Sequence, residues 1–318
     1  MIKANNKLQK QQPIQNEGIR LARRVWSYRE MYLLLLPAVV LVFVFAYIPM
    51  YGVIMSFQDV SFGDKFGQSD WVGLYHFKRF FNSIWIGTLL KNTATMAVVA
   101  TLCNWPAALG LAFMLHNCTN PFIKKMTQSL TYIPYLFSTV VIINIFRILL
   151  NYDTGIINHA LELLGLERIR FMIREEWVVP IYVLSGIWAN TGSAAVVYIG
   201  ALAGVDEQMV EAARIDGASK WRIIWNIQFP SILPTVITML ILNLGDLFSI
   251  GAEKVLLIQS DLNLDASEII STYVYKHGVK GNLYGYTSAI GLFQNIINLG
   301  MMLFVNWLGD KFAGMSVI

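Results

Sequence analysis

Six stretches of this chain stay apolar long enough to cross a bilayer, and polar, charged residues return in blocks between them. A spanning helix needs about 20 mostly apolar residues. The runs fall at 31–56, 88–115, 127–150, 178–204, 231–257 and 285–308. The pattern predicts an all-α integral membrane protein with six transmembrane helices. A tail at 1–30, polar and basic, precedes a membrane domain over 31–318. The first run is too long for the core of a signal peptide, and no small-residue cleavage pattern closes it, so it reads as a retained helix. Prolines 37, 49, 106 and 134 fall in or beside the runs and are expected to kink them.

Composition narrows the class. Of 318 residues, 56% are hydrophobic and 14% charged, with a mean hydropathy of +0.53. An average soluble domain carries roughly 25% charged residues. A disordered chain, a nucleic-acid binder driven by a basic field and most cytosolic enzymes are thereby excluded. Cys103 and Cys118 lie in one apolar segment, about 22 Å apart if helical, which is too far for a disulfide.

Charge placement gives an orientation. With the N-terminus inside, thirteen Lys and Arg fall on inner segments and eight on outer ones, and Lys91, Arg147 and Lys254 lie near outer helix ends. The cluster Arg20, Arg23, Arg24 and Arg29 stands beside the first helix, where the positive-inside rule acts most strongly. An even helix number then puts both termini on the cytoplasmic side. The outer loops, about 57–87, 151–177 and 258–284, are flanked by Trp71, Tyr75, Trp85, Trp177, Tyr284 and Tyr286, as an interfacial belt requires.

The inner loop at 205–230 is the most informative. Asp206 is placed to cap a helix over Gln208–Ile215, with Glu207 in its first turn. Gly217 permits a turn with positive φ. Ser219 caps a second helix, Lys220–Gln228, which Pro230 is expected to stop. Ala212, Ala213 and Ala218 leave small side chains beside the turn, and Glu211, Arg214 and Asp216 give it a polar rim. Such a surface suits the groove of another protein.

Glu211-Ala212-Ala213, Gly217 and the later Ile227 and Phe229-Pro230 closely resemble the EAA motif of ATP-binding-cassette importer permeases, with Phe229 in place of the usual Leu. The segments Tyr47–Gly52, Trp71–Leu74, Glu268–Tyr275 and Ala289–Asn295 resemble the carbohydrate-uptake branch, in particular its subgroup for complex oligosaccharides and polysaccharide fragments. The resemblance implies a type I importer permease fold in a bacterial cytoplasmic membrane. It further implies a second, homologous permease subunit, two cytoplasmic ATP-binding subunits and an extracellular solute-binding protein. Glu211, Ala212, Ala213, Asp216, Gly217 and Ala218 would form the helix that couples to the ATPase, and import of a sugar is the implied direction.

The chain lacks what catalysis would need. There is no G-x-x-x-x-G-K-[ST], and no Gly-Lys pair at all, so ATP and Mg would be bound by the partner ATPase and this chain carries no cofactor. HExxH and GxSxG are likewise absent. His76, His116, His159 and His277 are scattered, without metal-ligand spacing. The subunit reads as non-catalytic.

Polar residues within apolar runs are costly and mark pathways or interhelical bonds. Asp246 is the one acid well inside a run, and Asn243 shares its helical face. Gln294, Asn295 and Asn298 group in the last run, Trp188, Asn190 and Thr191 in the fourth, and Asn144 with Arg147 in the third. Amides, a carboxylate and an aromatic plate are the groups a sugar needs. Two other readings stay open: a permease of the same superfamily for a peptide or small polar solute, and an ion-driven secondary transporter. One acid and no clear internal repeat weigh against the latter.

Overall fold

The computed structural model describes residues 26–60, 63–64, 69–245, 247–248 and 250–313, and among them it is helical, with a single isolated bridge between Gln58 and Trp71. The basic tail up to residue 25 and Asp246 lie outside the described residues. The chain forms two compact units, 1–54 and 55–318.

The first unit holds helix α1 (Arg29–Val42), a wide π-type turn at Phe43–Tyr47 and a short helical continuation, Ile48–Met50. Pro49 sits at the first turn of that continuation, where its missing N–H costs least. The wide turn before it makes room for the pyrrolidine ring. Leu33, Leu34, Leu35 and Leu36 are exposed, as suits a helix whose surroundings are lipid or another subunit.

In the second unit, α2 (Tyr75–Phe81) leads to α3 (Ile86–His116), α4 (Pro121–Tyr132), α5 (Thr139–Leu149), α6 (Ile156–Leu163) and α7 (Val178–Leu202). Then come α8 (Glu207–Ile215), α9 (Lys220–Ile223), α10 (Phe229–Gly245), α11 (Ala252–Ile258), α12 (Leu264–Ser267), α13 (Ile270–Val274) and α14 (Tyr284–Ala313). Helices α3 and α7 pack along each other. At one end Ala108, Leu109 and Ala112 meet Ala195, Tyr198 and Leu202, joined by Ile232 and Val236 of α10. Small residues at this contact let the backbones approach closely. At the other end Met96 and Ala97 join Ile143, Phe171, Val178, Ile181, Val255 and Ile258. A third cluster seats Phe80 and Leu89 against Ile270, Tyr273, Tyr286 and Ile290.

Among the described residues, five helices are long and apolar enough to span a membrane: Arg29–Phe57, Ile86–His116, Glu175–Leu202, Lys220–Leu244 and Tyr284–Lys311. The sixth expected span, 127–150, is instead a pair, Pro121–Leu136 and Thr139–Leu149, bent by 107°. Pro134 lies in the 3-10 turn at that break, and Ser138 caps the new helix by accepting from Val141 N–H. Helices run unbroken through Pro37 and Pro106.

The expectation that Pro230 stops the second loop helix is corrected. α9 passes through a wide turn at Ile224–Gln228 straight into α10, with Pro230 as its second residue. The wide turn bonds i to i+5 and so accommodates a residue that has no N–H. The fifth span therefore starts near 220, and α10 ends at Gly245 rather than at 257, with α11 a separate short helix. The loop drawn as 205–230 is accordingly only about half as long.

Candidate functional site

At the end of α7 a turn leads to Asp206, whose carboxylate accepts from Gln208 N–H at 2.9 Å and starts α8. The helix ends in a Schellman turn. Gly217 takes φ +77°, its N–H bonds Arg214 O at 3.1 Å, and Ala218 N–H bonds Ala213 O at 2.9 Å. Ser219 then caps α9. Of the residues singled out here, Glu211, Ala212, Asp216 and Gly217 are exposed, and Ala213 and Ala218 half-buried. Ile215 is 87% exposed and Trp221 71%, an apolar surface beside the alanines that the loop's polar composition conceals.

A cavity of about 490 Å³ lies behind this turn, with His116, Lys124, Glu207, Glu211, Arg214 and Gln228 among its lining residues. Asn117 and Gln228 exchange hydrogen bonds there, at 2.9 and 3.1 Å, tying the end of α3 to the wide turn ahead of α10. Gln228 is buried, and the amide pairing satisfies it. Nothing in the local sequence marks this pair, which is 111 positions apart.

The polar residues of the spans divide into two kinds. Gln294 Nε2 donates to Phe248 O at 2.5 Å, and Asn298 Oδ1 accepts from Phe248 N–H at 3.1 Å. Both bind backbone freed where α10 ends. Asn190 and Asn243 are exposed and return a bond to their own helices, at Gly186 O and Met239 O. Asn144 and Asn295 are exposed, Trp188 packs on Phe146 with centroids 6.0 Å apart, and the Thr191 hydroxyl is buried without a hydrogen-bond partner. Asn243 lines a cavity of about 290 Å³ between α3, α7 and α10, together with Thr101, Asn104, Trp105, Tyr182 and Tyr198. The Asn104 carbonyl oxygen is buried and unpartnered.

Lys254, placed by the sequence near an outer helix end, is held by Tyr182. Its ammonium donates to Tyr182 O at 2.6 Å and lies 4.3 Å from that ring's centroid. Gly186 makes space for it: a Cβ there would stand 3.2 Å from Lys254 Nζ and 3.6 Å from Asn104 Oδ1. Glu268 entered the sequence reading only as the start of the Glu268–Tyr275 segment, without its partners. It is 4% exposed and binds Lys276 at 2.5 Å, Thr272 at 2.9 Å and Gln259 at 3.2 Å. Asn92 of α3 reaches the carbonyls of Asp265 and Glu268, and Thr93 the N–H of Ile270. A buried carboxylate held this way fixes the segment that joins α11 to α14.

Residues 105–314 match the family described as the binding-protein-dependent transport system inner membrane component. The chain belongs to this family. It is 35% identical over 294 residues to the polygalacturonan/rhamnogalacturonan transport system permease protein YteP of Bacillus subtilis (strain 168), covering 92% of each chain. It also resembles a chain of a bacterial ABC transporter involved in the import of the acidic polysaccharide alginate, at 30% identity and a TM-score of 0.84, over 92% of this chain and 99% of that one. A structure of the bacterial alginate ABC transporter with alginate pentasaccharide-bound periplasmic protein gives a TM-score of 0.86 at 30% identity, over 94% and 100%. The all-α permease fold and membrane location expected above thus hold. This family member is a membrane component of an importer.

Proposed function

We propose that this chain is one permease subunit of an ATP-driven importer for an oligosaccharide or polysaccharide fragment. The observation that carries it is the doubly capped helix–turn at 206–219. It presents Glu211, Ala212, Asp216 and Gly217 to solvent directly ahead of a spanning helix. Two ATPase subunits, holding ATP and Mg, would seat this helix in a groove, and their closure would move α9 and α10. This chain would hydrolyse nothing. A second, homologous permease would supply the other half of the pathway, and a binding protein outside would deliver cargo. The inner loop would face the cytoplasm, with both termini on that side.

The sugar assignment is supported by the relatives' cargo and by the polar groups on the spans. Asn144, Trp188, Asn190, Thr191, Asn243, Asp246, Gln294, Asn295 and Asn298 remain the proposed pathway set. Within it Gln294 and Asn298 already serve Phe248, whereas Asn243 lines the cavity between α3, α7 and α10.

The test is reconstitution of the complete transporter in proteoliposomes with its binding protein and ATP. Labelled oligosaccharide should accumulate only when all components are present. Accumulation of a labelled peptide but of no oligosaccharide would overturn the sugar assignment. Uptake without the ATPase would overturn the coupling.

A further inference from the structure

Helix α7 begins at the end of the second unit far from the coupling loop. There a cavity of about 330 Å³ is lined by Arg147, Asn151, Tyr152, Arg170, Gln259 and Ser260 among others, and no acidic residue lines it. Arg147 Nη2 donates to Leu257 O at 2.7 Å, and the Arg170 guanidinium lies 5.0 Å from the Tyr152 ring centroid. Among the described residues no carboxylate comes within ion-pair distance of either. Their neighbours behave otherwise. Arg168 pairs with Glu162 at 2.6 Å, and Arg174 with Glu176 at 3.1 Å. The Ser260 hydroxyl is buried with no hydrogen-bond partner.

Two fully buried asparagines hold the walls in place. Asn158 donates to the carbonyls of Leu150, Asn151 and Ile169 and accepts from Ile169 N–H at 2.7 Å. Asn263 donates to the carbonyls of Met172 and Ile258 and accepts from Ser260 N–H and the Ser267 hydroxyl. Each clamp grips wall residues that are far apart in sequence. Preorganised donors around an unneutralised double positive charge are what an anionic ligand requires.

We propose that this cavity is a sugar subsite that reads charge: Arg147 and Arg170 take the carboxylate of a uronic-acid unit, and Asn151, Gln259 and Ser260 meet its hydroxyls. Tyr152 positions Arg170. The inference rests on the sugar-importer reading above and narrows its cargo to acidic polysaccharide fragments. Guanidinium forks match a carboxylate in a way an ammonium does not. Arg147 and Arg170 are exposed, and it is the recessed, unpartnered Ser260 hydroxyl that favours a small ligand over an acidic side chain of a docked binding protein. The cavity's size is that of small-molecule sites, about 300 Å³ and upward.

The experiment compares two probes of the same shape in the reconstituted importer with one binding protein: trigalacturonate and its fully methyl-esterified, neutral form. Uptake should favour the acid, less so as salt rises. R147Q/R170Q should lower uptake of the acid by about tenfold or more and leave the ester unchanged. R147K/R170K should fall between. An acid-to-ester ratio equal to wild type in R147Q/R170Q at normal assembly would overturn the proposal. Equal loss of both probes would mean a docking contact for the binding protein, and the subsite falls. Uptake of neither probe, while some other solute enters, would remove the sugar reading itself. Should R147Q/R170Q fail to assemble, R170K alone is read by the same ratio.

Discussion

Among the described glycines, Gly192 is where the packing leaves least room. It lies mid-way along α7, against the last turn of α4. A Cβ added there would sit 2.1 Å from the carbonyl oxygen of Thr131, 2.5 Å from its carbon and 2.8 Å from Tyr132 Cδ1. Ordinary contacts between such atoms begin at about 3.5 Å, so α4 and α7 would have to part by roughly 1 Å. The obstacle is backbone, which cannot rotate away. Overpacking of this kind costs about 1–3 kcal/mol, sometimes more. Gly200 is the internal control, since it is in the same helix and a Cβ there meets nothing within 4 Å. Gly200→Ala should be neutral or stabilising by up to about 1 kcal/mol from helix propensity. The propensity gain is common to both substitutions, so they should differ by the overpacking cost, about 1–3 kcal/mol. Thermal unfolding of the detergent-solubilised subunit reads this as a separation of several degrees, with Gly192→Ala below wild type. Coincident transitions for the two variants would show that α4 does not press on α7 at this point.

Gly217→Val should cost about 1–2 kcal/mol locally, because a residue with φ +77° tolerates a β-branched side chain poorly. The space around it is open, so the spans should still insert while ATPase co-purification or coupled uptake falls. Normal values of both in Gly217→Val and in Glu211→Ala would refute the coupling role. Single cysteines at Asn16 and Lys220 should resist impermeant thiol reagents in intact cells, and labelling of both from outside would invert the topology. Asp246→Asn should alter transport or substrate-stimulated ATPase activity at full assembly, whereas unchanged transport would remove that acid from the pathway.

What could be read from the chain differed by residue. The spans announced themselves through uninterrupted apolar runs, and the helix–turn at 206–219 through Asp206, Gly217 and Ser219, because capping and positive φ are local chemistry. Pro230 misled because a wide turn neutralises the usual effect of a missing N–H, and that turn has no sequence signature. Pro134 announced a kink in the third run, but not its size: hydropathy continues past Phe137 into the next helix, so nothing in the sequence marks a bend of 107°. Asn117 with Gln228, Asn158, Asn263 and Glu268 could not be found either. Their partners are distant in sequence or are backbone carbonyls, and only the folded chain brings them together. Asn243 and Asn298 looked alike in sequence, yet one faces a cavity and the other a neighbouring main chain.

The passage of α9 into α10 without a stop has a mechanical consequence. Residues Lys220–Leu244 form one helical rod of 25 residues, about 37 Å long. One end adjoins the capped turn, and the other ends where the Phe248 backbone is tied to α14. A rod of that length tilting by about 10° about its middle carries each end about 3 Å, in opposite directions. Such a rod has no gearing. With the pivot at its middle, travel given to the residue-220 end is returned in equal measure at the other, so under the coupling reading proposed above the opening there would be bounded by the stroke at residue 220.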